Sequence, residues 1–406
     1  MNTLIKMAWR NLWRNRRRTL ITTASIVFSV LFACFMRSMQ EGTYDRMIDN
    51  VVKFYSGYLQ VQHHTYWDEK TLENSLSEDP HLTQTIEAID DVLLVTPRLE
   101  SFALSAHQDN SRPVFVMGIL PQQEERIIRL SHKITSGELL NDDDPDAMIS
   151  EGLARFLKLG IGDTLVMISQ GYHGVSAAGK FAVKAIFSHP SPDLNNNMVF
   201  LSLPAAQNFY SAYDRYTSEV IMVRDHYKVE PVREAISGLL SPDLRVMTWD
   251  EMQPELLNMI EADRAGGIVM MLILYLVIGF GILGTVMMML YERKREFGVI
   301  NAIGMQKSKI NRMVFIETIL LGFLGALIGI LVTVPFIFYF YRNPIPLTGD
   351  MAETMLEYGI EPFMFFSIQP KLFINQALIV FILCLFIAVL MMIRIGRMKM
   401  IKALRS

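Results

Sequence analysis

Four stretches of the chain are apolar for long enough to cross a bilayer, which takes ~20 residues. They run from about Leu20 to Met36, Gly266 to Leu290, Met313 to Tyr341 and Phe373 to Ile393. Between the first and second, the rhythm changes. Helical spacing persists at both ends of this segment, through Met36, Met39, Met47, Val51 and Phe54 going in and Met252, Leu256, Leu257 and Ile260 coming out. These ends read as two stalks. Between them lie short β-like runs: GYLQVQ, VLLVTPRLE, PVFVMGI, DTLVMIS, KFAVKAIF, NMVFLSL, SEVIMVR and LRVMTW. Helical candidates alternate with them: HLTQTIEAI, ISEGLARFLKL, PAAQNFYSAY and KVEPVREAISGLL. The pattern predicts an α-helical membrane protein with four transmembrane helices, one before and three after a large inserted α+β domain. The expected boundaries are an amphipathic elbow at 1–18, spans at 19–39, 265–290, 313–341 and 372–393, and the domain at 40–264. A short helix at 291–312, a loop at 342–371 and a basic tail at 394–406 complete the chain.

Composition agrees with a membrane protein. The 406 residues are 51% hydrophobic and 19% charged, with mean hydropathy +0.27. Cys34 and Cys384 both fall in apolar runs, so they read as small apolar packers and the polar middle has no disulfide framework. A basic stretch precedes the first span, but no small-x-small cleavage site follows it, so that span reads as an uncleaved anchor. Charge predicts orientation. Lys6, Arg10, Arg14, Arg16, Arg17 and Arg18 precede span one without an acid, and Arg394, Arg397, Lys399, Lys402 and Arg405 follow span four. The 342–371 loop instead holds Asp350, Glu353, Glu357 and Glu361 against Arg342 and Lys371. The positive-inside rule then puts both termini and the 291–312 stretch inside, and the inserted domain outside. Residues 40–264 hold 18 Lys or Arg against 34 Asp or Glu, a net charge of −16, which argues against a nucleic-acid partner. At the N-terminus, Ile5, Ala8, Trp9, Leu12 and Trp13 share one helical face, as in a helix lying at a membrane surface.

Candidates for chemistry are few. GVSAAGK at 174–180 fits a phosphate loop, but Phe181 replaces the magnesium-binding hydroxyl and a strand follows, so a hairpin is the better reading. His63–His64 lacks zinc spacing, and Asp142, Asp143, Asp144 and Asp146 lack the glycine and distal glutamate of a calcium loop. No metal site and no catalytic residue is expected. Glu317 is the intramembrane candidate, read either as a functional group or as an interfacial acid that snorkels or pairs, with Arg312 below it. Gly322, Gly325 and Gly329 in span three, and Gly279, Gly281 and Gly284 in span two, permit close helix approach. Bundle packing and a dimer seam both fit that pattern. No span shows a polar stripe, so the spans read as struts.

The stretch YERKREFGVINAIGMQKSKI at 291–310 mixes charges of both signs with glycine and aliphatic residues. Such a mix suits docking to a soluble partner better than a merely basic loop does. Glu292 to Gly304 resembles the coupling helix of the MacB/FtsX/LolC superfamily of ABC-transporter permeases, whose pattern is close to E-R-x-R-E-I-G-x-x-x-A-x-G. AWRNLWRNRRRT resembles that family's N-terminal elbow, GLARFLKLGIGDTL with FAVKAIF its periplasmic domain, and MKMIKALR its tail. Phe297, Asn301 and Met305 depart from the pattern, and tuning of the docked ATPase is the role expected of them. The resemblance implies an ATPase-docking role for Glu292, Arg293, Arg295, Glu296, Gly298, Ala302 and Gly304. It implies a cytoplasmic ABC ATPase dimer and a second permease as partners, in a bacterial inner membrane. No cofactor is expected on this chain; ATP and Mg would sit on the partner ATPase. SGYLQVQ, TWDEMQPELLNMI and the acidic loop look most like the lipoprotein-releasing LolC/LolE branch, which implies lipoprotein cargo and a periplasmic carrier. An FtsX-like regulator of a cell-wall hydrolase and a MacB-like exporter remain as alternatives.

Overall fold

The computed structural model describes residues 2–14, 16–52, 56–189, 191–350, 352 and 362–397. The tail segment MKMIKALR, Phe54 and the loop acids Glu353, Glu357 and Glu361 lie outside the described residues. The chain divides into two compact units, Met1–Arg46 with Met259–Pro346 and Phe363–Ser406, and Met47–Asn258 with Leu347–Pro362.

The first unit is helical. Its elements are α1 (Asn2–Arg14), α2 (Arg16–Val51), α3 (Pro254–Glu292), α4 (Lys294–Ala302), α5 (Lys307–Arg342) and α6 (Pro370–Arg397). Among the described residues, α2, α3, α5 and α6 are long and apolar enough to cross a membrane. They bury a common core that includes Ile26 and Val30, Ile282 and Val286, Val314 and Leu321, and Val380 and Ile387. Exposed residues such as Phe28, Leu272, Leu331 and Phe386 cover the outside, as a lipid-facing surface requires.

The glycines of α5 serve this packing. A Cβ on Gly322 would lie 2.9 Å from Cys384, one on Gly325 2.6 Å from Ile26, and one on Gly329 2.8 Å from Val30. All three therefore admit neighbouring helices of the same chain, which decides between the two uses open to them. Cys34 and Cys384 are buried and unbonded in this core. Farther along, α2 and α3 are tied together. Tyr44 donates to Asp263 at 2.5 Å, and Arg264 lies 3.7 Å from Glu41. The segment after α5 returns against α2: Ser38 donates to the Ser367 carbonyl at 2.7 Å, and Gly42 leaves room for the Phe366 backbone, 2.5 Å from where a Cβ would stand.

The second unit is the α+β domain. Its strands are β1 (Leu59–His63), β2 (Leu76–Ser77), β3 (Val92–His107), β4 (Asn110–Ile119), β5 (Ile134–Gly137), β6 (Ala147–Ser150), β7 (Thr164–Gln170), β8 (Ser176–Phe187), β9 (Met198–Ser202), β10 (Arg215–Tyr216), β11 (Ser218–Val223) and β12 (Leu244–Thr248). Every β-like run read from the sequence falls on one of them. β12-β1-β11-β3 form an antiparallel sheet in that order, with helix Pro80–Glu87 before β3 and Val229–Ser237 before β12. That is a split βαβ arrangement. The far half of β3 continues into a closed ring, β3-β4-β9-β6-β8-β7 and back to β3. Inward residues alternate along these strands and meet in one cluster, among them Leu99, Val116, Ile149, Met167, Val183 and Leu201. The outward residues Phe115, Met117, Met198, Phe200 and Phe187 form a second cluster with Ile128 and Leu130. Strands such as β9 are thus covered on both faces, which explains the unbroken run MVFL. A buried pair ties β3 to helix Pro121–Ile128: Arg98 donates to Glu124 at 2.6 and 2.9 Å.

Candidate docking helix and its anchor

α3 ends at Glu292, Arg293 makes the corner, and α4 follows over nine residues. Its termination is encoded locally. Gly304 adopts φ +109°, which disfavours other residues, and the chain closes with Gly304 N–H on Asn301 O and Met305 N–H on Ile300 O, at 3.1 and 3.2 Å. Asn301 Nδ2 adds a bond to the Met305 carbonyl at 2.9 Å. α5 then starts at Lys307.

One face of α4 is sealed against the bundle. Phe297 is 1% exposed and joins the helical core, with Ile300 and Met305 packed at its edge. Gly298 is also buried. Arg293 is buried as well, and this corrects the sequence reading, which placed it among docking charges. Its Nη1 donates to both oxygens of Glu317 at 2.7 Å, and each side chain is 3% exposed. The guanidinium also lies over the Phe297 ring at 5.1 Å and reaches Glu296 at 3.4 Å. Glu317 is therefore a paired acid whose partner is Arg293, not Arg312. A buried Arg–Glu pair with its hydrogen bonds made acts as a register pin: breaking one partner leaves the other charged and dry. Phe297, Asn301 and Met305 lie on or beside this inward face, where Phe297 and Met305 pack on the helical core and Asn301 closes the end of α4.

The other face is open. Glu292, Arg295, Glu296, Val299, Ala302, Ile303 and Gly304 are exposed. Ile303 is 81% exposed and Val299 44%. An apolar pair rimmed by charges is the composition of a small protein-binding patch. The elbow adjoins it. Arg14 Nη2 lies 3.1 Å from Glu296, and Thr19 Oγ1 bonds to the Leu12 carbonyl at 2.8 Å. Within α1, Ala8 and Leu12 are buried, while Ile5, Trp9 and Trp13 are exposed, the two indoles meeting edge to face at 6.0 Å. The apolar face read from the sequence is thus split between core and surface.

The other candidates are accounted for. Lys180 lies within β8, opposite Val166 of β7, so GVSAAGK runs from the hairpin turn into a strand. His63 bonds to Thr65, and His64 to the Asp243 carbonyl. Asp142 accepts from Gln122 N–H; the Asn141 N–H bond to Asp144, and after it the pairing with Lys184, hold the Asp144 carboxyl below the usual range.

Comparison with known proteins fixes the family. The model of the MacB-like periplasmic core domain matches residues 19–239, and that of the FtsX-like permease C-terminal domain matches residues 268–400. The chain belongs to the MacB/FtsX/LolC superfamily of ABC-transporter permeases. The permease is 20% identical over 272 residues to the lipoprotein-releasing system transmembrane protein LolC of Neisseria meningitidis, an alignment covering 64% of each chain. It is 23% identical over 366 residues to the macrolide export ATP-binding/permease protein MacB of Nitrosomonas europaea, covering 85% of this chain and 53% of that one. The chain thus spans less than two thirds of the length of these relatives. A crystal structure of the periplasmic region of MacB from Actinobacillus actinomycetemcomitans matches at a TM-score of 0.36 and 15% identity, over 52% of the permease and 96% of that chain.

Proposed function

We propose that the permease couples ATP hydrolysis by a separate cytoplasmic ABC ATPase to work done by its inserted domain on the periplasmic side of a bacterial inner membrane. The observation that carries this reading is α4, a short helix pinned from within by Arg293–Glu317 and open on the face of Val299 and Ile303. A docking element must be rigid toward its own bundle to pass displacement on. α3 gives that displacement a path, because its 39 residues form one helix of ~58 Å. ATP and Mg would bind the ATPase dimer, and a second permease, identical or homologous, would complete the complex. This chain carries no catalytic role in the proposal.

The cargo we propose is lipoprotein, extracted from the membrane and passed to a periplasmic carrier; the LolC relative supports this assignment. The MacB relative, aligned over 85% of the chain, supports the second reading, an exporter permease. Affinity purification from native membranes in mild detergent, with partners identified by mass spectrometry, tests both. An ABC ATPase with acylated lipoproteins is expected. An ATPase with an adaptor and outer-membrane channel would replace the cargo assignment, and one with a cell-wall hydrolase would favour an FtsX-like role. Absence of any ATPase would overturn the coupling itself.

A further inference from the structure

A cleft of about 600 Å³ opens between the start of α2 and the end of α3. Arg14, Arg16 and Arg17 line one part of it, and Ile21, Met288 and Met289 line another. Among the described residues, Glu292 is the single acid on its wall. Arg14 is already answered by Glu296 at 3.1 Å. Arg16 and Arg17 are exposed, and among the described residues neither has an ion-pair partner. Ile21 is 54% and Met288 64% exposed, in helices that otherwise present apolar surface to lipid. The cleft is therefore amphipathic along the helix axis: unanswered guanidinium groups at the helix ends, and open apolar side chains about one turn deeper.

We propose that this cleft binds one anionic phospholipid of the surrounding leaflet, with its phosphate on Arg16 and Arg17 and the start of an acyl chain along Ile21 and Met288. Guanidinium groups match phosphate in geometry as well as charge, and basic pockets between membrane helices hold anionic head groups. A soluble anion would use the arginines but leave the apolar part of the cleft wet, so the pairing of the two surfaces favours a lipid. The inference does not depend on which ATPase or cargo the permease serves.

The test is native mass spectrometry of the full chain released from mixed micelles containing phosphatidylglycerol or phosphatidylcholine. One phosphatidylglycerol per chain should be retained in preference to phosphatidylcholine, and inorganic phosphate should not displace it. Arg16→Gln with Arg17→Gln should lower that retention by at least tenfold, at ~1 kcal/mol per arginine. Thr285, on the cleft wall, supplies an independent variant. Thr285→Trp fills the space without touching charge, and should also release the lipid, which decides the matter if the arginine variant fails to fold. Equal retention of both lipids, or retention unchanged in the folded variants, would overturn the proposal. Displacement by inorganic phosphate would also overturn it, assigning a soluble anion instead.

Discussion

On α5, a Cβ at Gly325 would stand 2.6 Å from Ile26 and one at Gly329 2.8 Å from Val30; on α3, Gly279, Gly281 and Gly284 have nothing within 4 Å of where a Cβ would be. The two helices carry similar small residues, yet one set is spent on contact and the other faces open space. α5 is thus gripped along its length by α2 and α6. α3 also buries a face along its length, through Met271, Ile278, Ile282 and Val286, but these glycines turn away from those contacts. Small residues in a membrane helix therefore have no fixed meaning until their neighbours are known.

The sharpest way to break this comparison is to remove the anchor. Glu317→Gln removes the buried counter-charge of Arg293, leaving only the half-exposed Glu296 at 3.4 Å, and should cost about 3–5 kcal/mol. Replacing both partners with Met and Leu should restore most of that stability, as measured by thermal unfolding in detergent. If Glu317→Gln unfolds at the wild-type temperature, the pair is not a pin. The glycines give the next effect. Gly325→Leu should destabilise by about 1–3 kcal/mol through overpacking, whereas Gly281→Leu should stay within about 0.5 kcal/mol in the isolated chain. Equal effects at the two sites would erase the distinction between the two sets of glycines.

The remaining test lies in the inserted domain and extends the comparison to its charges. Arg98 and Glu124 satisfy each other, but Glu100, two residues along β3, is buried with one oxygen unbonded. Desolvation raises its carboxyl from the ordinary 4.5 to about 7, against the lowering influence of Arg98 and Lys70. The folded domain then holds a proton that the unfolded chain releases. Stability from this group is complete below pH 4.5, declines as pH rises to about 7, and changes no further above that. Glu100→Gln should flatten this limb of the unfolding profile; an unchanged slope would assign it to other groups.

Much of this was legible in the sequence. The four spans follow from unbroken apolar length, and the longer strands from alternation. β5 and β6 were not, because ITSG and AMIS are too short to show a period. The closed ring was not either, since it depends on pairings such as Leu104 with Ile168, far apart in sequence. The 291–310 stretch stands out by its mixed charges and its glycines. The inward turn of Arg293 was missed because its partner lies 24 residues away on the next helix. A signal exists in the sequence: Arg293, Phe297, Asn301 and Met305 repeat every four residues and mark the inward face.

The central claim is that the open face of α4 receives the ATPase. The most direct measurement is ATPase binding and cargo-stimulated hydrolysis in the purified complex, comparing wild type with Ile303→Asp. Ile303 is 81% exposed, so the substitution should leave thermal unfolding unchanged. The account predicts that the variant loses the ATPase, or retains it without stimulation. A folded Ile303→Asp permease that binds and stimulates the ATPase as wild type does would contradict it.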